Sequence, residues 1–220
     1  MATQFGNNNS GNSAIESISY GSSTNFGNFS APAAYLSGTT SVSLTGAQAA
    51  LGTATAVHAA VADNAAIQTI TTGFTQPAYP RNLVVTPSGT AANVTAKTVV
   101  VNGTDSLGQA ISESFLLTAG ALTAAVGVKA FKTVISVVQP IIGASVSVSV
   151  GTGNVLGFPS YLYGNTVLFA FLNNVKEGTL PTVVTSLTSL ANNTFTLNSS
   201  LNGTPVNVSF LPAFDQSLVG

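Results

Sequence analysis

The stretch Ser145-Val146-Ser147-Val148-Ser149-Val150 alternates serine and valine without interruption. Successive side chains of a β-strand point to opposite faces of the sheet. The hexapeptide therefore predicts a strand that turns its valines toward a core and its serines toward solvent or another chain. This is the clearest structural signal in the sequence, and the fold prediction starts from it.

Short runs of β-branched residues, bounded by proline, glycine or asparagine, continue this pattern on both sides of the hexapeptide. The dipeptide Asn102-Gly103 is expected to close one strand, and Asn202-Gly203 is expected to join the last two strands in a hairpin. About nine or ten short strands with polar turns predict an all-β chain, built as a β-sandwich or a jelly-roll-like domain. The predicted strands span residues 67–72, 81–86, 94–101, 112–118, 132–138, 145–150, 166–172, 181–187, 194–199 and 205–210.

One alanine-rich run, residues 47–66, has helical propensity instead. Its larger apolar residues, Leu51, Val57 and Val61, are spaced unevenly and fit a helical face poorly. A short helix over residues 54–63 is the prediction for this region.

Residues 1–40 differ in composition from the remaining chain. A polar low-complexity tract over residues 6–13 is followed by isolated aromatic residues among glycine, serine and asparagine. We interpret this region as an extended N-terminal arm that lays its rings on a neighbouring surface, and a disordered terminus is the alternative. Residues 41–220 are expected to form the β-sandwich domain, with residues 160–220 either completing it or forming a separate β lobe. The predicted interface anchors are Phe5, Tyr20, Phe26, Phe29 and Tyr35.

The charge content excludes several classes of function. Only 5% of the 220 residues are charged and the net charge is −1, whereas ordinary soluble domains carry roughly 25% charged residues. Five scattered cations predict neither a nucleic-acid binder nor a polybasic membrane anchor. Without cysteine there is no disulfide, thiolate or cysteine-ligated metal. The longest apolar run, Val167 to Leu172, is far shorter than the roughly 20 residues of a spanning helix. No signal peptide is recognised at Met1, so we expect a soluble product made in the cytoplasm.

Few residues suggest chemistry. The glycine-rich run 151–157 could cradle a phosphate, but proline at position 159 prevents the helix that such a loop needs, and a sharp turn at a sheet edge explains the glycines as well. His58 and Asp63 do not share a helix face, and the chain lacks a nucleophile elbow. Asp105 could bind calcium weakly, although oxygen-rich turns look the same. We therefore predict no catalytic residue, no cofactor and no metal.

Several pieces of the chain, in their order, resemble a group of tailed-bacteriophage virion proteins encoded among head genes. The resemblance runs from about Val57 to Pro159, a little under half of the chain. The pieces are ITTGFTQP (70–77) leading into PRNLVVT (80–86), VNGTDSLGQAISE (101–113), VKAFKTV (128–134) and VSVGTGNVLGFP (148–159).

This resemblance implies a structural virion protein, of the capsid decoration or cement type, that binds and stabilises the lattice of major capsid protein. The expected partners are the major capsid protein and copies of the chain itself, as a homotrimer at local threefold positions, with neither nucleic acid nor membrane. The expected location is the virion capsid, assembled in the reducing cytoplasm of the host bacterium, which suits a chain without cysteine.

Two other functions remain open. A head or tail fibre module that recognises host surface glycans would use exposed aromatic residues near asparagine, such as Tyr161 and Tyr163 beside Asn165. A hydrolase on a β-sandwich, dependent on His58, is the least favoured.

Overall fold

The computed structural model describes residues 39–212, and within this range the protein is all β, with fourteen strands, two short 3-10 turns and no α-helix. The predicted fold class is confirmed, and the several antiparallel sheets are consistent with a β-sandwich. The strands are β1 Thr40–Leu44, β2 His58–Ala62, β3 Gln68–Ile70, β4 Arg81–Gly89, β5 Thr98–Thr104, β6 Ala110–Leu116, β7 Ala125–Val126, β8 Thr133–Gln139, β9 Val146–Gly157, β10 Val167–Leu172, β11 Val175–Lys176, β12 Thr182–Val184, β13 Thr194–Thr196 and β14 Val206–Phe210.

The strands form three antiparallel sheets. The first sheet has the order β1-β14-β10-β11, and the third has the order β3-β8-β5-β6. The central sheet has the order β12-β13-β9-β4-β7, and β2 also pairs with β9. Strand β9, twelve residues long, is therefore the strand around which the central sheet is built.

Two hydrophobic cores lie against the central sheet. One contains Val85 and Val150 of the central sheet together with Val101 and Val137 of the third sheet. The second contains Phe195 of the central sheet, Phe210 and other side chains of the first sheet, and Phe158. In this second core the ring of Phe158 lies 4.8 Å from the rings of both Phe195 and Phe210.

The serine–valine hexapeptide forms the start of β9. Val146, Val148 and Val150 are buried in the first core, as the alternation predicts. Ser149 is buried within the same chain as well, which corrects the expectation that the serines face solvent or another chain. Its hydroxyl donates to the carbonyl of Thr86 at 3.4 Å. This face of β9 is covered by the backbone of residues 53–54, which lies so close to Gly151 that a Cβ there would collide with the carbonyl of Thr53.

The glycine-rich run 151–157 is not a turn, because it lies inside β9. The glycines there permit the close approach of other backbone segments, as Gly151 shows. The expected helix over residues 54–63 is also wrong. This region forms a turn followed by β2, and the backbone N–H of Val57 donates to the carbonyl of Val150 at 3.0 Å. Packing of Val57 into the first core outweighs the helical propensity of alanine.

Both asparagine–glycine dipeptides differ from their predicted roles. Asn102-Gly103 lies within β5, where a side chain at Gly103 would collide with the carbonyl of Thr133 in β8. Asn202-Gly203 lies at a bend but does not join a hairpin, because β13 pairs in the central sheet whereas β14 pairs in the first. At both dipeptides, pairing between strands that are distant in the sequence outweighs the local turn preference of Asn-Gly.

Candidate functional site: the β12 groove

A groove with a volume of about 440 Å³ opens on the central sheet near β12. We call it the β12 groove. Its described lining residues are valine, threonine, serine and asparagine, and none of them is charged. The lining includes Val128, Thr182, Val184, Asn192, Thr194 and Thr196.

Strand alternation explains which face carries the groove. In β13, Phe195 is buried in the second core, so Thr194 and Thr196 point to the opposite face. In β12, Val183 packs against the same core, so Thr182 and Val184 also point away from it. The groove therefore lies on the face of β12 and β13 that is remote from the second core and from the first sheet.

The walls of the groove are apolar and accessible. Val128 is 66% exposed and Val184 is 55% exposed. Strand β12 has only three residues and is an edge strand of the central sheet. On its outer side it has no neighbouring strand among residues 39–212. An apolar groove beside a free strand edge can accept an extended segment by β-augmentation.

Glu113 of β6 fixes the backbone at Val128, which forms one side of the groove. Its Oε1 accepts the backbone N–H of Val128 at 2.8 Å and that of Lys129 at 3.2 Å. Burial raises the pKa of the Glu113 carboxyl, and these two hydrogen bonds and the charge of Lys129 only partly oppose the rise. Its Oε2 is buried without a hydrogen-bond partner among the described residues.

Asn193 fixes the segment that follows β12, around Ser186 and Ser189. It is fully buried, and its Oδ1 accepts the backbone N–H groups of Leu162 and Ser186 at 3.0 and 3.1 Å. Its Nδ2 donates to the carbonyls of Ser186 and Ser189. The neighbouring Asn192 lines the groove, and its Oδ1 is buried without a hydrogen-bond partner in residues 39–212.

All four carboxylates within residues 39–212 accept backbone N–H groups. Glu113 binds Val128 and Lys129 as described, and the Oε2 of Glu177 accepts the N–H of Ser199 at 2.8 Å. The Oδ1 of Asp105 accepts the N–H groups of Leu107 and Gln109 and closes the β5–β6 turn. Asp105 thus occupies the oxygen-rich turn that was the alternative to a calcium site. In the described range no three His, Asp or Glu side chains are grouped as metal ligands would be.

Asp63 and His58 each bind backbone, in different places. Asp63 Oδ2 accepts the N–H groups of Ile142 and Gly143, and its Oδ1 accepts that of Ala65. Burial by itself would raise the pKa of Asp63, but these three hydrogen bonds outweigh it and lower the pKa. His58 Nδ1 lies 2.8 Å from the carbonyl of Ala59. The ring of His58 packs on Phe74 with a centroid separation of 5.2 Å.

Arg81, predicted as the first residue of a strand and as one of five scattered cations, is a buried cation. Its Nε donates to the carbonyl of Gly153 at 2.8 Å, and its Nη2 donates to the carbonyl of Ala50 at 2.9 Å. Burial lowers the pKa of Arg81. The sequence signal for its burial is weak: a charged residue that precedes the apolar run of β4 with only Asn82 between them.

The residues considered for glycan recognition, Tyr161, Tyr163 and Asn165, lie in the segment between β9 and β10. Tyr163 is 52% exposed, but Leu162, between the two tyrosines, is buried. The Oδ1 of Asn165 accepts the N–H of Val167 at 3.2 Å and so belongs to its own turn.

The predicted interface anchors Phe5, Tyr20, Phe26, Phe29 and Tyr35 lie outside the described residues. The β12 groove itself was not predicted. Its signal in the sequence is the alternation of Thr194-Phe195-Thr196, which is too short to indicate a groove without the fold.

Comparisons with protein-family models, with curated proteins and with solved structures find no match to this chain. Within residues 39–212 the structure contains no helix of the length and apolarity needed to cross a membrane.

Proposed function

We propose that this protein is a structural component of a tailed-bacteriophage virion, a decoration or cement protein that binds the lattice of major capsid protein and copies of itself. The resemblance of residues 57–159 to phage head proteins supplies the class of particle. In the described residues the carboxylates accept backbone N–H groups, whereas several apolar side chains are exposed. This distribution supports a function based on surface contact.

The observation that carries the proposal is the contrast between carboxylates that are engaged by backbone N–H groups and apolar side chains that are accessible. All four described carboxylates bind backbone N–H groups, and Arg81 is buried. In contrast, Ile67, Leu116 and Val126 are each at least 64% exposed. Exposed apolar side chains at several strands are typical of surfaces that contact other proteins.

A neutral surface suits a protein that is repeated many times on a shell. Contacts rich in serine, threonine and valine can form without the cost of burying unpaired charges. Free edges such as that of β12 can add to strands of neighbouring subunits. A protein that binds only the assembled lattice stabilises it by RT ln(1 + [L]/Kd) per site.

The experiment is to add purified full-length protein back to phage heads that lack it. We expect binding that saturates at a fixed number of copies per major capsid subunit, and a higher temperature of head disruption when the sites are filled. Failure to bind heads, with or without binding to surface glycans on an array, would overturn the proposal. Binding to glycans in that case would identify the fibre alternative.

A further inference from the structure

We propose that the β12 groove receives an aromatic segment from residues 1–38 of a second copy of this chain. The inference rests on the self-association part of the proposed function. It names the surface through which copies bind each other and the segment that they exchange.

The shape and chemistry of the groove fit an aromatic side chain on an extended segment. Val128 and Val184 supply apolar walls, and threonine side chains supply the adjoining surface. Buried aromatic rings contribute most of the binding free energy at many protein interfaces. The free edge of β12 provides backbone groups for pairing with an extended segment.

Charge distinguishes the N-terminal segment from the other end of the chain. Residues 1–38 contain one charged side chain, Glu16, and the five aromatic residues Phe5, Tyr20, Phe26, Phe29 and Tyr35. In residues 213–220, by contrast, the aromatic Phe214 stands directly beside Asp215. Burying that carboxylate against a groove lined by uncharged residues would be costly. The N-terminal segment is therefore the occupant that fits the lining.

The position of the segment's attachment favours exchange between copies. Residue 39 leads into β1, and β1 belongs to the first sheet, which packs on the second core. The β12 groove lies on the opposite face of β12 and β13. A chain extends by about 3.3–3.6 Å per residue, so 38 residues span more than enough distance to reach a neighbour. In this exchange the N-terminal segment of one subunit binds the groove of the next, so the two subunits contribute different surfaces to the contact. Such heterologous contacts form a ring when they close.

The test uses the absence of cysteine from the natural sequence. Asn28→Cys, which keeps Phe26 and Phe29 intact, is placed in one full-length chain, and Thr182→Cys in the groove is placed in another. The matched control partner is Thr69→Cys, the same substitution at an exposed threonine on β3, an edge strand of the third sheet. The two chains are mixed and mildly oxidised, and the linked dimers are quantified on a non-reducing gel.

We expect the pair with Thr182→Cys to give at least tenfold more linked dimer than the pair with Thr69→Cys, and the wild-type chain to sediment as an oligomer. Equal linking to both positions, or none, in a protein that sediments as an oligomer would overturn the groove assignment while leaving self-association intact. Sedimentation as a monomer would overturn the self-association on which the proposed function also depends. Preferential intramolecular linking in a double variant carrying Asn28→Cys and Thr182→Cys would show that the segment occupies the groove of its own chain, and would contradict exchange.

Discussion

Val128 and Val184 line the same groove although Val184 lies in β12 and Val128 follows β7, the strand at the opposite end of the order of the central sheet. They come together because the chain after β7 returns toward β13, where the N–H of Ala130 donates to the carbonyl of Ala191 at 2.8 Å. Glu113 fixes this return by accepting two backbone N–H groups. The groove is thus a product of long-range pairing.

A charge in the groove should weaken self-association without unfolding the protein. Val184→Asp places a carboxylate in an apolar contact, and Val175→Asp is the matched control at a more exposed valine on β11. We expect Val184→Asp to raise the dissociation constant of the oligomer at least tenfold, measured by sedimentation. Both variants should unfold within about 0.5 kcal/mol of wild type, because both sites are exposed. An equal effect of the two substitutions on association would contradict the role of the groove.

Glu113 should make the protein less stable as pH rises. Because its pKa is raised in the folded state, the folded protein holds this proton more tightly than the unfolded chain does. Its contribution to stability is therefore complete below the ordinary value of 4.5 and is lost as pH rises through the raised pKa. In Glu113→Gln this loss should be absent, as measured by denaturant unfolding from pH 4 to pH 8. An unchanged slope in the variant would refute the assignment.

Asp63 should act in the opposite direction. Its pKa is lowered by three backbone N–H donors, so its stabilising contribution is present above the ordinary value of 3.8 and is lost as pH falls through the lowered pKa. Asp63→Asn keeps one acceptor oxygen and loses the charge, so we expect a loss of about 1 kcal/mol at pH 7, modest because the group is only partly buried. The difference from wild type should shrink on acidification to pH 2–3. A difference that is constant with pH would show that the carboxylate charge is not responsible.

Arg81 should be important for stability. Its guanidinium donates to the carbonyls of Gly153 and Ala50, which join β9 and the segment before β2 to β4. Arg81→Met should lower the free energy of unfolding by about 2–4 kcal/mol, because both buried hydrogen bonds to a charged donor are lost. Lys97→Met, at an exposed cation, is the control and should change it little. Comparable effects at both positions would contradict this role.

Gly103 should tolerate no side chain. A Cβ at this position collides with the carbonyl of Thr133, whereas a Cβ at Gly178 meets nothing within 4 Å. We expect Gly103→Ala to lower stability by about 1–3 kcal/mol through overpacking and Gly178→Ala to be close to neutral. Thermal unfolding of the two variants measures the difference, and a neutral Gly103→Ala would show that β5 and β8 can separate locally.

The sequence predicted the fold class and most strands because alternation and β-branching are local signals. Val146, Val148 and Val150 are buried together, and β8, predicted at 132–138, lies at Thr133–Gln139. The turns predicted at glycines were wrong where contacts with distant parts of the chain determine the backbone conformation. Gly103 and Gly151 read as turn residues, but each lies inside a strand where another backbone approaches too closely for a side chain.

The β12 groove was beyond prediction for a related reason. Its lining comes from four separate parts of the chain, at Val128, Val155, residues 182–186 and residues 192–196. None of these pieces has a distinctive pattern. The carboxylates were recognised as isolated in the sequence, yet only the structure assigns each its backbone partners. The aromatic anchors predicted in residues 1–38 stay a prediction.

The proposed function requires this chain to work by contact with identical neighbours and with a capsid lattice. A cryo-EM reconstruction of particles that carry the protein measures this most directly. We expect density for the three-sheet domain on the head surface, repeated at local threefold positions, with a strand of one copy beside β12 of the next. Particles without the protein, or with it confined to a few copies at the tail tip, would contradict the account.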